Sequence, residues 1–138
     1  AYTFQNVGID DYSGGYQIGE YLYSCGYKKA LFVAETERDS DYYRWMGFKQ
    51  AMEKPGGFCS RSRYIVIPGE KRLRLRKYRE LLPRFLEAKA LAFSSDYNAM
   101  EAINFFLDEG IMVPDQIAPD KEMQEKYSQE ELIRNLFQ

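Results

Sequence analysis

The sequence predicts an α/β fold, a three-layer sandwich around a parallel sheet. Three observations lead there. Short runs at residues 31–34, 64–67 and 90–93 are continuously apolar and lack the alternation of a strand with one wet face. Between them lie longer stretches with apolar residues three and four positions apart. Gly, Pro and short polar clusters separate the two kinds of segment. Repeated β-α units of this kind assemble by right-handed parallel crossovers.

In chain order, residues 4–9 read as a first strand, ended by Asp10 and Asp11. A helix follows from about Ser13, with Ile18, Tyr21, Leu22 and Cys25 as its buried face and Gly26 as its stop. Gly14-Gly15 lacks the rest of a phosphate-loop pattern and fits close helix–strand packing instead. The second strand spans residues 31–34, and a polar loop runs from Glu35 to Asp41. A helix over 41–54 carries Trp45, Phe48 and Met52 on one stripe, and Pro55-Gly56-Gly57 breaks it.

Residues 64–67 form the third strand, closed by Pro68-Gly69. The basic run Lys71, Arg72, Arg74, Arg76, Lys77 and Arg79 is interleaved with Leu73, Leu75, Tyr78, Leu81, Leu82 and Phe85. That interleaving is an amphipathic helix with a charged, solvated outer face, reaching about Ala88 despite Pro83. The fourth strand, 90–93, leads into Ser94, Ser95 and Asp96, each able to cap a helix. Capping is the main role expected of Asp96. In that helix Ala99, Ile103 and Phe106 face the sheet, while Met100 and Leu107 point to one side. Gly110 supplies a left-handed stop, and Pro114 follows. Near the end, Ser128-Gln129-Glu130-Glu131 resembles a capping box before Leu132, Ile133, Leu136 and Phe137.

Composition narrows the function classes. With 138 residues, 45% hydrophobic and 29% charged, one globular domain is expected. A net charge of −2 gives no global pull toward nucleic acid or an anionic membrane. No apolar run approaches a membrane span, and Ala1 to Asn6 does not read as a signal peptide. Histidine is absent, which removes Ser-His-Asp and Cys-His catalysis and the commonest metal ligand. Cys25 and Cys59 make no disulfide framework, and neither a metal site nor a cofactor is expected. These features together predict a cytoplasmic protein.

Three stretches carry a resemblance to a known family. The first is Ala92-Phe93-Ser94-Ser95-Asp96-Tyr97-Asn98-Ala99-Met100-Glu101-Ala102, continued by Glu109-Gly110-Ile111-Met112-Val113-Pro114-Asp115-Gln116-Ile117. The second is Val7-Gly8-Ile9-Asp10-Asp11, then Gly14-Gly15-Tyr16, Tyr21-Leu22 and Cys25-Gly26-Tyr27. The third, and most specific, is Ser40-Asp41-Tyr42-Tyr43-Arg44-Trp45-Met46-Gly47-Phe48, which fills the pattern Ser-x-x-x-Arg-x-x-Gly-Phe without a gap. Together they resemble the effector-binding core of the LacI/GalR transcriptional regulators, a periplasmic-binding-protein-like fold.

The resemblance implies that residues 1–118 form the C-terminal lobe of that core and that 119–138 form its last helix. The family's intervening strand and loop, with an aspartate that often touches the effector, have no counterpart after Ala118. The DNA-binding headpiece and the first lobe are likewise unmatched. The function implied is sensing of a small polar effector, a sugar, by a non-enzymatic regulator that reaches DNA through that headpiece. Arg44 inherits the effector contact, because a guanidinium fork suits paired hydroxyls or a carboxylate. Spacing alone leaves open a surface pair of Arg44 with Asp41 or Glu35.

Asp10, Asp11, Ser95 and Asp96 fall at or just beyond strand ends, and Tyr42 or Tyr43 would supply an aromatic platform. Ser95 stands where the family usually has Asn. Family dimers form side by side through the helix after the Ser-Asp turn, which places Met100, Glu101 and Asn104 at a homodimer seam. Two alternatives share features of this sequence: a solute-binding protein of a sugar transporter, and a glycoside hydrolase using Asp10, Asp11 and Asp96.

Overall fold

The computed structural model describes residues 9–54 and 56–111, and of Ile9 and Asp10 the backbone alone. The first element is helix α1, Ile9–Ser24. It begins four residues before the expected start at Ser13, so Asp10 and Asp11 lie in its first turn rather than in a turn after a strand. Acidic residues there are favoured by the positive end of the helix dipole. The rest of the expected first strand, residues 4–8, lies outside the described residues. Gly26 ends the helix at φ +91, and the Tyr27 amide bonds back to the Leu22 carbonyl at 2.9 Å.

Strand β1, Leu31–Ala34, is buried along its whole length. Helix α2, Asp39–Glu53, starts two residues earlier than the apolar spacing suggests, with Asp39 itself at φ 54. After a 3-10 turn at Arg61–Arg63 comes β2, Tyr64–Val66, and then helix α3, Lys71–Ala88, which runs through Pro83 and ends at a left-handed Lys89. Strand β3, Leu91–Phe93, leads into helix α4, Asp96–Asp108. Gly110 at φ +80 and the Ile111 amide on the Phe106 carbonyl close α4.

The protein is therefore α/β, with four helices and a small parallel sheet of three strands among the described residues. The strand order is β2-β1-β3. Phe32 pairs with Tyr64 on one side of β1 and with Ala92 on the other. The chain steps from β1 to one neighbour through α2, then crosses back over β1 through α3 to the other. The carboxyl ends of β1 and β3 thus form a switch point, the place where open α/β sheets bind ligands.

Two aromatic clusters flank this sheet. Phe32 meets Trp45, Phe48 and Tyr64 with ring centroids 6.0, 5.6 and 5.5 Å apart. Tyr78 and Phe85 of α3 meet Phe105 and Phe106 of α4. The apolar stripes fall as their spacing requires: Ile18, Tyr21, Leu22, Trp45, Phe48, Met52, Ala99, Ile103 and Phe106 are buried. Met100 and Leu107 remain exposed, as the reading of α4 anticipates.

Glycine sets how closely α1 and α2 approach. A Cβ on Gly15 would stand 1.9 Å from the Arg44 carbonyl oxygen, and one on Gly47 would stand 2.0 Å from that of Tyr12. So Gly15 serves close helix–helix packing, not the helix–strand packing expected of Gly14-Gly15. Gly47→Ala is expected to push the two helices apart and to destabilise the protein by about 3 kcal/mol, the upper range for overpacking. Urea denaturation measures this; a loss below about 0.5 kcal/mol would contradict the rigid backbone contact.

Candidate functional site

The close α1–α2 contact brings one turn of each helix to the carboxyl end of β3. Arg44, in the second turn of α2, is 8% exposed, and Asp11, in the first turn of α1, is 0% exposed. Arg44 Nη2 lies 2.7 Å from Asp11 Oδ1. Arg44 Nη1 donates to the Ser94 carbonyl at 2.9 Å and to its hydroxyl at 3.0 Å. A guanidinium presents five donors in a fixed fork, and here the fork spans α1, α2 and the end of β3. Asp41 stands farther off, 3.8 Å from Nη1. Of the alternatives that spacing leaves open, the pair with Asp41 is present but long, and the short pair is a buried one with Asp11.

Around this pair the ends of β1 and β3 are tied together. The Ser94 hydroxyl donates to Asp41 Oδ1. Asp41 Oδ2 accepts from the Thr36 amide at 3.1 Å and from its hydroxyl at 2.9 Å. Tyr64 donates its hydroxyl to the Thr36 carbonyl at 2.6 Å. Burial, and next the nearby Asp41 carboxylate, raise the Tyr64 phenol above its ordinary value, which keeps it a donor. Asn98 Nδ2 donates to Glu35 Oε2 at 2.6 Å, crossing from α4 to the end of β1. Ser95 caps α4, its hydroxyl accepting from the Asn98 amide at 3.4 Å. The expected cap, Asp96, is instead the first residue of the helix, because its neighbour's shorter hydroxyl takes the position with extended backbone.

A second arginine secures the other side. Arg74 lies in the basic run read as a solvated face, yet it is 4% exposed. Its Nε and Nη2 meet Glu101 Oε1 and Oε2 at 2.6 and 2.8 Å, a bidentate pair, while Nη1 donates to the Gly69 carbonyl at 2.6 Å. Tyr78 adds a hydroxyl to Glu101 at 3.2 Å. Burial pushes the Glu101 carboxyl upward, but Arg74 and Tyr78 outweigh it and hold the group below its ordinary value. Arg74 is raised correspondingly, chiefly by its hydrogen bonds to Glu101.

The helices that start here also carry exposed tyrosines. Tyr12, Tyr42, Tyr43 and Tyr97 are all exposed and stand within the first five residues of α1, α2 and α4. Tyr42 and Tyr43 meet edge to face with centroids 6.3 Å apart.

The expected site residues therefore divide. Asp11 and Arg44 are paired, Ser95 and Asp96 stand at the start of α4 next to Ser94, which Arg44 bonds, and Tyr43 is exposed on α2. The Asp10 side chain lies outside the described residues. Of the seam residues, Met100 and Asn104 are exposed on α4, but Glu101 is taken by Arg74 and Tyr78 within the chain. Sequence reasoning missed Thr36, Arg74 and Asn98 as members of the network, and it read Glu35 only as a surface partner of Arg44 and Ser94 only as a helix cap. Residues 112–138, with the expected tail helix and the region around Ala118, lie outside the described residues. No helix among the described residues is long and apolar enough to cross a membrane.

Comparison of the chain with protein-family models and with curated proteins finds no match.

Removing one member of a buried ion pair leaves its partner charged and unpaired, a loss of about 3–5 kcal/mol. Arg44→Met is expected to fall in that range in chemical denaturation, and the double variant Arg44→Met with Asp11→Leu to recover part of it. Additive losses would show that the two side chains are not coupled.

Proposed function

We propose that this chain is the effector-sensing part of a LacI/GalR-type transcriptional regulator, a lobe of a three-layer, periplasmic-binding-protein-like core, and that the switch point forms one wall of its sugar site. The observation that carries the reading is the pairing of chemistries there: Tyr42 and Tyr43 are exposed on the helix that supplies Asp41 and Arg44, and Glu35, Thr36, Asp41, Ser94 and Asn98 form a fixed polar network. A sugar ring offers a face of C–H groups to an aromatic platform and a girdle of hydroxyls to planar acceptors. The motifs around Arg44 and Ser95 add the family resemblance. DNA contact belongs, in this reading, to a headpiece outside the chain, and the ligand is bound without turnover.

Arg44 acts here as a positioning residue. Its fork is engaged by Asp11 and Ser94, so it sets the backbone on which the ligand-facing groups stand. Ser95 accepts in its cap and keeps its own proton for a ligand acceptor. The carboxylates of Glu35, Asp41 and Asp96 suit a neutral polyol over an anionic one.

Saturation-transfer NMR against a panel of neutral mono- and disaccharides is expected to show contact with at least one sugar. Tyr43→Ala should weaken that binding by about 1 kcal/mol while leaving thermal stability unchanged. Failure of every sugar to receive saturation would overturn the reading, and so would release of nitrophenol from aryl glycosides.

The same proposal includes a homodimer through α4. Met100 and Leu107 are 49% and 44% exposed, and Tyr97 and Asn104 continue their stripe. A two-fold axis on this stripe would bring Met100 near its symmetry mate. Met100→Glu would then set two charges against each other, and sedimentation should show the dimer dissociating with the fold intact. A wild-type chain that sediments as a monomer at high micromolar concentration, or a Met100→Glu variant that stays dimeric, would remove α4 from the seam.

A further inference from the structure

The basic run of α3 has a second consequence, away from the switch point. Beside β2 lies a groove of about 350 Å³ to which Arg61, Lys77 and Arg84 contribute, with Ile65, Val66 and Leu81 as apolar lining. Arg61 and Ser62 stand just before β2, and Lys77 and Arg84 lie two turns apart along α3, so the cations come from both sides of the groove.

The two arginines are held by backbone. Arg84 Nη2 donates to the Ser62 carbonyl at 2.5 Å, and Arg61 Nη1 donates to the Tyr64 carbonyl at 3.1 Å. The Arg61 guanidinium also lies 4.5 Å from the Tyr64 ring centre and is ion-paired with Glu37. No carboxylate lines the groove, and among the described residues neither Lys77 nor Arg84 lies within salt-bridge distance of an acid. Two positive charges in a concave, partly apolar surface focus a field that attracts anions. The groove is open to solvent on one side, which suits a small anion held at the surface. A β-strand partner is disfavoured, because Arg61 already occupies the Tyr64 carbonyl.

We propose that this groove binds a phosphate-type dianion, free or carried on a small organic molecule, between Lys77 and Arg84. The phosphoryl oxygens accept from the Arg84 fork on one side and from the Lys77 ammonium on the other. Arg61 closes the amino end of the groove, and the apolar lining receives a carbon skeleton when the ligand has one. The site is independent of the sugar reading and opposite to it in charge.

The test is amide and side-chain NMR of the full chain at constant ionic strength. The probes are inorganic phosphate, glycerol phosphate, glycerol and acetate. The expected result is saturable shifts confined to residues 61–66 and 77–84 with phosphate, tighter binding of glycerol phosphate, and none with glycerol. Equal affinity for phosphate and glycerol phosphate would identify the free anion as the ligand and still support the site. Lys77→Gln and Arg84→Gln should each weaken binding by about tenfold, the scale of one charge-assisted hydrogen bond. Lys77→Gln leaves the Arg84–Ser62 bond intact, so its result stands even if Arg84→Gln disturbs the fold. Shifts that never saturate, that appear equally at Lys71 and Arg72, that acetate reproduces, or that survive Lys77→Gln would each overturn the proposal.

Discussion

The buried pair of Arg44 with Asp11 is the constraint on which the rest of the structure depends. Two charges leave water to make it, a cost of several kcal/mol each before any attraction is counted. The compensation comes from geometry. One prong of the fork meets Asp11 and the other meets both oxygens of Ser94, so a single side chain joins two helices to the end of a strand. That reach exists only because Gly15 and Gly47 let the backbones of α1 and α2 come into contact. With any side chain at either position the helices would separate, and the fork would lose at least one of its partners.

Arg74 repeats the device with a different purpose. Its fork joins α3 to α4 through Glu101 and holds the loop after β2 through Gly69. Between the two arginines, Asn98 and Glu35 tie α4 to β1. The ends of all three strands are thereby fixed relative to one another by polar contacts, not by apolar packing alone. Polar groups buried in this way contribute little net stability but are costly to misplace, which favours one arrangement over its competitors.

Charge is distributed to match. The ends of β1 and β3 and the helix starts beside them carry Asp11, Glu35, Asp41 and Asp96, with Arg44 neutralised internally. The groove beside β2 carries Arg61, Lys77 and Arg84. A net charge of −2 conceals this separation, so composition alone could not reveal two surfaces suited to ligands of different charge.

The sequence by itself determined the alternation of elements and the apolar face of each. Continuous apolar runs and three-to-four spacing report burial directly, and they placed β1, β2, β3 and the buried stripes of α2 and α4 within a residue or two. The Ser-x-x-x-Arg-x-x-Gly-Phe stretch also singled out Arg44. What tertiary structure decided was the partner of each polar side chain. Asp11 and Arg44 are 33 positions apart, Arg74 and Glu101 are 27 apart, and Glu35 and Asn98 are 63 apart. No local periodicity links such pairs, because a hydrogen bond depends on where two backbones meet in space. For the same reason an arginine in a charged run could be read only as solvated. Arg74 is buried by what the loop after β2 and helix α4 bring against it, and neither is encoded in its own neighbours.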